Sequence, residues 1–456
     1  MTARIASLAP AGEAVAVTPG SVKGPLFSDN RLAASDREAH RWYRFVLSFP
    51  PHLVRHYLAE FGLGTESALL DPFCGTGTTL VESKKLGIPS VGIEAHPFTA
   101  FAASVKVDWS PDPDELREHA RGIAEETAEK LVSQGVPDSP LEATADRTRD
   151  SNRRLRRLDP TLESLLLTSS ISPKPLHKAI VFLDVLHENH DDRYDAHERL
   201  AFAKSIVQAS SNLHFGPEVG LGEIRADAPV VDPWFRAVAA MSEDLAALRD
   251  RRSVQCRVYT GDSRRCSEIL APGSIDAVFT SPPYPNEKDY TRTTRLESVL
   301  LGYISSKTDL RGVKQGLVRS NTRGVFKADD DDALVAADRE INRVAAAIED
   351  RRLELGKTSG FERLYPRVAK LYFGGMLRHF SALRPALKPG ARLAYVVGDQ
   401  ASYLRVMIRT GQILGHLAES IGYRLEKTDL FRTRHATATG DQLREEVVVL
   451  RWPGEA

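Results

Sequence analysis

The sequence predicts an α/β protein: an open, mostly parallel sheet flanked by helices and interrupted by a mainly helical insertion. Three observations lead there. Residues 67–95 run as a short apolar strand, a glycine-rich turn, a helix and a second strand, the βαβ grammar of a parallel sheet. That pattern then gives way, over about 110–253, to amphipathic helices. It resumes at 254 with further strand-like runs and closes on two that read as an antiparallel pair.

Taken in order, residues 1–37 are rich in Ala, Pro, Gly and Ser and read as a disordered arm without the compact apolar core of a secretory signal. "HRWYRFVLSFPPHLVRHYLAEFG" (40–62) begins as an aromatic loop and becomes a helix from Pro51, with Leu53, Val54, Tyr57, Leu58 and Phe61 at helical spacing. "SALLDPFCGTGTTLVESKKLG" (67–87) and "PSVGIEA" (89–95) supply the first two strands and the helix between them. Within the insertion, 112–135, 175–186 and 232–250 carry apolar stripes at helical spacing, and 147–158 is strongly basic. "VQCRVYTGD" (254–262), "SIDAVFTSPPY" (274–284) and "ARLAYVVGD" (391–399) are the later strands, the last preceded by a helix that closes on the stop signal "LKPG" (387–390). "YRLEKTDLFRTR" (423–434) and "EEVVVLRW" (445–452) form the closing pair.

The chain has 456 residues, enough for one large domain with an insertion, or for two or three domains. Its 42% hydrophobic and 27% charged residues are those of a globular protein. Sixty-one basic residues balance 61 acidic ones, so a nucleic-acid partner would need a local basic face. Cys74, Cys256 and Cys266 make neither a disulfide framework nor CxxC metal spacing, which fits a reducing cytoplasm. No apolar run reaches transmembrane length, so no membrane is expected. "HENHDD" (187–192) is open to two readings, a zinc site or a solvated helix end, and lacks a second ligand cluster; no metal is expected. The run Arg147–Arg157 is likewise open between DNA phosphates and solvent.

Two motifs carry chemistry. The first is "DPFCGTGTT", Asp71 to Thr79. Gly75 and Gly77 permit a tight turn, so a ligand can approach the carboxyl end of the strand. The GxxxxGK[ST] spacing of a P-loop is absent, and Leu80 stands where a dinucleotide fingerprint wants glycine. Glu94 ends the next strand, where a carboxylate accepts from ribose hydroxyls. A nucleoside ligand without pyrophosphate needs that set of parts, and S-adenosyl-L-methionine is such a ligand. The second motif is Ser281-Pro282-Pro283-Tyr284. Proline fixes φ and donates no hydrogen bond, so two in succession make a stiff lip with carbonyls free to accept.

Together these motifs resemble those of the amino-methylating (cytosine-N4/adenine-N6) DNA methyltransferases, in particular DNA modification methylases with an SPPY motif, over about 40–100 and 254–452. The resemblance implies a Rossmann-like S-adenosylmethionine-dependent methyltransferase fold, a seven-stranded mostly parallel sheet whose last strand is antiparallel. It implies a catalytic domain of 38–109 and 254–456, with 110–253 as insertion and target-recognition region; the segment 301–365 is a rival for that role. The glycine motif (Asp71, Phe73, Cys74, Gly75, Gly77, Thr78, Thr79) and Glu94 would bind the cofactor, joined by Phe49 and Pro50. Asp262 would meet the cofactor adenine or cap a solvated turn. Ser281, Pro282, Pro283 and Tyr284 would be catalytic, and Asn286, Asp289, Tyr290 and Arg292 would line the substrate mouth.

The implied substrate is double-stranded DNA, and a cognate restriction endonuclease is left open. Serine first in the tetrapeptide is most typical of cytosine-N4 enzymes. Adenine N6, an RNA amine and a catalytically silent DNA-binding relative are the alternatives. A conjugated exocyclic amine is a weak nucleophile. Ser281 and the Pro282 carbonyl accepting its two hydrogens would favour a pyramidal nitrogen aimed at a sulfonium methyl. Tyr284 would stack on a base turned out of the duplex.

Overall fold

The computed structural model describes residues 32–43, 48–139, 155–216, 218–286, 288–435 and 442–454. Most of the expected N-terminal arm (1–31), the start of the aromatic loop (44–47) and most of the basic run (147–154) lie outside the described residues.

Seven strands form one sheet: β1 (Leu69–Asp71), β2 (Ser90–Glu94), β5 (Cys256–Thr260), β6 (Ile275–Thr280), β7 (Leu387–Gly398), β8 (Arg424–His435) and β9 (Gln442–Arg451). Their order is β5-β2-β1-β6-β7-β9-β8, and β9 alone runs against the others. This is the Rossmann-like methyltransferase fold the sequence led us to expect, closing antiparallel pair included. Two short strands, β3 (Leu213–Phe215) and β4 (Val219–Leu221), pair antiparallel in a separate ribbon. The chain moves outward one way from β1 and the other way from β6, so the order reverses between these two neighbours. Ligands of open α/β sheets bind at such a reversal, beyond the strands' carboxyl ends.

Helices α1 (Pro51–Glu60), α2 (Thr78–Lys85) and α3 (Pro97–Val107) belong to the first half of the sheet. Proline at the first helical position starts α1 and α3, where its missing N–H costs nothing. The insertion supplies α4 (Pro113–Ser133), α5 (Pro160–Glu163), α6 (Pro173–Glu188), α7 (Asp195–Ser205) and α8 (Val231–Leu248), together with the β3–β4 ribbon. The Asp138 carboxylate caps the start of α8, accepting from the amides of Val230 at 2.8 Å and Val231 at 3.0 Å. Phe182 of α6 stacks on Phe202 of α7 and meets Trp234 of α8 edge-on. This insertion core is continuous with Leu80 and Val81 of α2 and Phe98 of α3.

The second half adds α9 (Tyr290–Thr293), α10 (Arg295–Leu300), α11 (Lys307–Gly316), α12 (Arg339–Glu354), α13 (Gly360–Leu383) and α14 (Thr410–Glu419). Tyr372 and Phe373 of α13 pack with Leu70, Val278 and Leu393 on one side of the sheet. Leu53 and Tyr57 of α1 meet Phe279 and Val396 in a separate cluster.

The structure corrects one boundary. The helical stretch does run up to "LKPG", α13 ending at Leu383 and a 3-10 turn (Arg384–Ala386) completing it, but the strand begins earlier than 391, with Leu387 already paired to Ile275 of β6. Residues 388–391 loop out before pairing resumes at Arg392 with Ala277. Pro389 cannot donate to a ladder, and the Gly390 amide turns instead to the Trp452 carbonyl at 2.7 Å.

Every carboxylate of the acidic run 329–332 is ion-paired, although Asp330 stays exposed. Asp329 is held by Arg319, Asp330 by Arg378, Asp331 by Arg264 and Arg378, and Asp332 by Arg367. The turn carrying Asp331 lies so close to α13 that a Cβ at Gly374 would sit 1.8 Å from the Asp331 carbonyl oxygen. This run therefore clamps its segment onto α13 through Arg367 and Arg378.

Candidate active site

The two motifs occupy neighbouring strand tips. Leu70 of β1 pairs with Val278 of β6, and the glycine turn and the proline lip follow directly from these strands. The Thr280 hydroxyl, the last side chain of β6, donates to Oδ1 of Asp71, the last residue of β1, at 2.6 Å. Between the tips opens a cavity of about 480 Å³ lined by both motifs. Its size is in the range that holds a small-molecule cofactor.

One wall is the glycine turn. Gly75 has φ +50°, and a side chain there would meet no protein atom within 4 Å, so it would project into open space. Gly77, at φ +81°, starts α2 so near α3 that a Cβ would lie 3.2 Å from Ala103 Cβ. Glu94 is tied to this turn: its carboxylate accepts from the amides of Gly75 at 2.9 Å and His96 at 2.8 Å. Burial raises the Glu94 pKa against the lowering effect of those amides. Asp71, immediately before lining residues Pro72 and Phe73, is fully buried, and its pKa is pushed up to about 6, chiefly by desolvation. Its Oδ2 is buried without a hydrogen-bond partner. A nucleoside cation answers to this wall, since two buried carboxylates offer negative charge beside an open glycine cradle.

The facing wall is the lip. The Ser281 hydroxyl donates to the Val396 carbonyl at 3.0 Å, so its lone pairs are left as acceptors. The Tyr284 ring packs against Gly398, where a Cβ would approach Cε2 to 3.1 Å. Tyr290 hydrogen-bonds the Tyr284 backbone, and burial raises its pKa to about 12. Phe49 meets Phe279 edge-on at 5.5 Å and lines the same cavity.

Of the residues singled out from sequence, the cavity lining includes Phe49, Phe73, Cys74, Gly75, Thr78, Glu94, Ser281, Pro282, Pro283, Tyr284, Asn286 and Tyr290. Pro50, Asp71, Gly77 and Thr79 are not in the lining; the last three shape its floor from behind. Asp262 is also absent from the lining, although its neighbours Gly261 and Ser263 are present. Its carboxylate caps the following turn through the Arg264 amide at 2.9 Å and grips the Arg264 guanidinium at 2.7 Å. Asp289 and Arg292 face a second, smaller groove. No cluster of three or more potential metal ligands occurs among the described residues.

Several lining residues carried no sequence signal. His96 follows Glu94, is fully buried, and has its pKa lowered to about 4 by desolvation, with Arg295 adding to the effect. Gln400, Arg432 and Glu445 reach the cavity from the far strands. Glu445 is opposite Gly398 on the β7–β9 ladder, which puts it beside Tyr284. Such cross-strand neighbours follow from register, which no local motif encodes.

Fold and cavity together define a methyltransferase scaffold whose two sequence motifs share one hollow. Among characterised proteins, the chain is 24% identical over 453 residues to the Type II methyltransferase M.BsoBI of Geobacillus stearothermophilus, covering 92% of this chain and 85% of that protein. It is 23% identical over 418 residues to the Type II methyltransferase M.AvaI of Nostoc sp. PCC 7120, covering 87% and 81% respectively. No family model matches the chain. Among solved structures, TrmN from Thermus thermophilus aligns with 91% of this chain and 52% of its own, at 9% identity and a TM-score of 0.32, too slight a likeness to carry weight.

Proposed function

We propose that this chain is a DNA methyltransferase that modifies an exocyclic base amine, cytosine N4 in the first instance, with S-adenosyl-L-methionine as methyl donor. The similarity to two Type II methyltransferases along most of the chain supports the DNA substrate. The observation that carries the chemistry is Ser281. Its only proton is committed to the Val396 carbonyl, so it meets an incoming amine as an acceptor. The Pro282 carbonyl, which no proline N–H competes for, is the second acceptor on the same lip.

When bound, the cofactor supplies an electrophilic methyl group on a cationic sulfur. Glu94 and the Gly75 turn would hold its nucleoside portion, and the buried Asp71 charge would favour its positive end. Ser281 and Pro282 would orient the amine hydrogens and turn the nitrogen lone pair toward the methyl group; gaining that methyl as its carbon–sulfur bond breaks, the nitrogen would give up one of those hydrogens as a proton to water. Tyr284, with Tyr290 bracing its backbone, gives an extrahelical base an aromatic face. Positioning and electrostatics are the whole of the catalysis; the lip holds no nucleophilic cysteine.

Adenine N6 is the second reading, because the same lip serves any exocyclic amine. Nucleoside mass spectrometry of DNA from cells expressing the protein separates the two. N4-methylcytosine supports the first reading and N6-methyladenine the second. Unmodified DNA, with no methyl transfer to purified duplex, would sink both.

A further inference from the structure

Beside the cavity mouth runs a shallow groove between the β3–β4 ribbon of the insertion and residues 288–293. Its outer wall is Phe215, Gly216 and Val219, and its inner wall carries Arg292 and Arg323. Lys288 and Tyr290 line both the groove and the cavity, so the two hollows share a wall. The Asn321 side chain donates to the Lys288 carbonyl at 2.9 Å, fixing the turn that bears Arg323 against the lip segment.

Two of the groove's cations are left without a counter-charge among the described residues. Neighbouring cations are matched: Arg319 with Asp329, Lys314 with Asp289, and Arg295 with the carbonyls of Thr291 and Leu165. Arg292 and Arg323 have no ion-pair partner among the described residues, and Arg292 Nε is buried with nothing to donate to. The groove's carboxylate, Asp289, is already taken by Lys314 at 2.9 Å. Glu218 is exposed on the ribbon wall and bounds the positive surface on that side. A buried guanidinium donor without an acceptor costs free energy that an anion recovers. A phosphate matches a guanidinium in both charge and geometry.

We propose that this groove holds the sugar-phosphate backbone of the substrate strand beside the reacting nucleotide, with Arg292 and Arg323 as its phosphate contacts and the β3–β4 ribbon as its outer rail. The assignment rests on the reading of the chain as a DNA methyltransferase. A nucleotide turned out of a duplex pivots about its own backbone, so the flanking phosphates must be gripped at the pocket mouth. It gives the insertion a defined part, a wall of the DNA path, contributed by its ribbon.

The test is duplex DNA binding by fluorescence anisotropy between about 50 and 200 mM salt, for the full-length chain and for Arg323→Ala, Arg292→Ala and the double variant. Each lost phosphate contact lowers the slope of log affinity against log salt by about 0.9, so the double variant falls by roughly 1.8, with weakening of similar factor on unrelated sequences. Cofactor affinity and melting temperature of Arg323→Ala, whose side chain is exposed, stay at the unmodified values, which keeps the result interpretable even if Arg292→Ala folds poorly. Unchanged slopes in Arg323→Ala and the double variant, against a wild-type chain that binds and methylates DNA, overturn the groove alone. A wild-type chain that does neither overturns the functional reading and the groove with it.

Discussion

Thr280 and Asp71, 209 positions apart, are joined by a 2.6 Å hydrogen bond from the threonine hydroxyl to Oδ1. It is a side-chain bridge between the last residues of β6 and β1, the two strands that launch the proline lip and the glycine turn. The relative position of both motifs is therefore set below the cavity, by buried groups that need never touch a ligand.

Replacing Thr280 by valine keeps the shape and removes the donor. The fully buried carboxyl of Asp71 is then left with the Phe73 amide and the Thr79 hydroxyl, and stability falls by about 1–3 kcal/mol. Denaturant unfolding measures the loss, and Thr280→Ser restores most of it.

Ser281→Ala removes an acceptor from the lip and nothing from the cofactor wall. Single-turnover methyl transfer is expected to drop about 100-fold, the order seen when one oriented polar group is lost from a reacting centre. Cofactor affinity measured by calorimetry stays unchanged. An unaltered rate would remove Ser281 from the mechanism.

At Tyr284 the ring, more than the hydroxyl, is expected to matter. Tyr284→Phe retains the aromatic face and most of the rate; Tyr284→Ala loses a stacking contribution of about 1–3 kcal/mol. Comparing single-turnover rates on duplex and on single-stranded DNA separates stacking from the cost of unpairing, which single strands do not carry.

Acid should weaken the fold through buried imidazoles, among them His96 and His379. Burial lowers the pKa of His96 and of His379 to about 4, from 6.5. Below pH 6.5 the unfolded chain takes up protons that these native side chains refuse, so stability falls as pH drops from about 6.5 to 4. Each contributes up to roughly 1.4 kcal/mol per pH unit in that window. Asp71 acts in the opposite sense: with its native pKa raised to about 6, its destabilising contribution grows from about pH 4 to 6 and is complete above. Urea unfolding at pH 7 and pH 5, repeated on His379→Gln, isolates one histidine's share. A slope equal to wild type would show that His379 is not responsible.

Two neighbouring aspartates should differ sharply. Asp331 is buried and accepts from both Arg264 and Arg378, so Asp331→Ala removes two charged hydrogen bonds and costs about 1.5–3 kcal/mol, Arg264 keeping its grip on Asp262. Asp330 has an exposed side chain, and its pair with Arg378 is worth at most about 1 kcal/mol. Thermal unfolding of the two alanine variants gives the comparison.

Much of this was legible in the sequence because the decisive signals are local. Proline, glycine and a strand-ending carboxylate announce themselves within a few residues, and β1, β2, β5 and β6 follow from them. Asp262 shows where local reading stops: its role depended on whether a cation stood near, and Arg264, braced by Asp331, claims its carboxylate. His96 and Glu445 were silent because burial and strand register are properties of the assembled sheet. The run at 329–332 gave no local sign of its partners, which come from positions 264, 319, 367 and 378.

The long excursion after β2 returns to the strand beside the one it left: Ser90 pairs with Cys256 and Glu94 with Thr260. Exit and re-entry are thus adjacent, so the whole insertion hangs from two neighbouring strand ends while its core leans on α2 and α3.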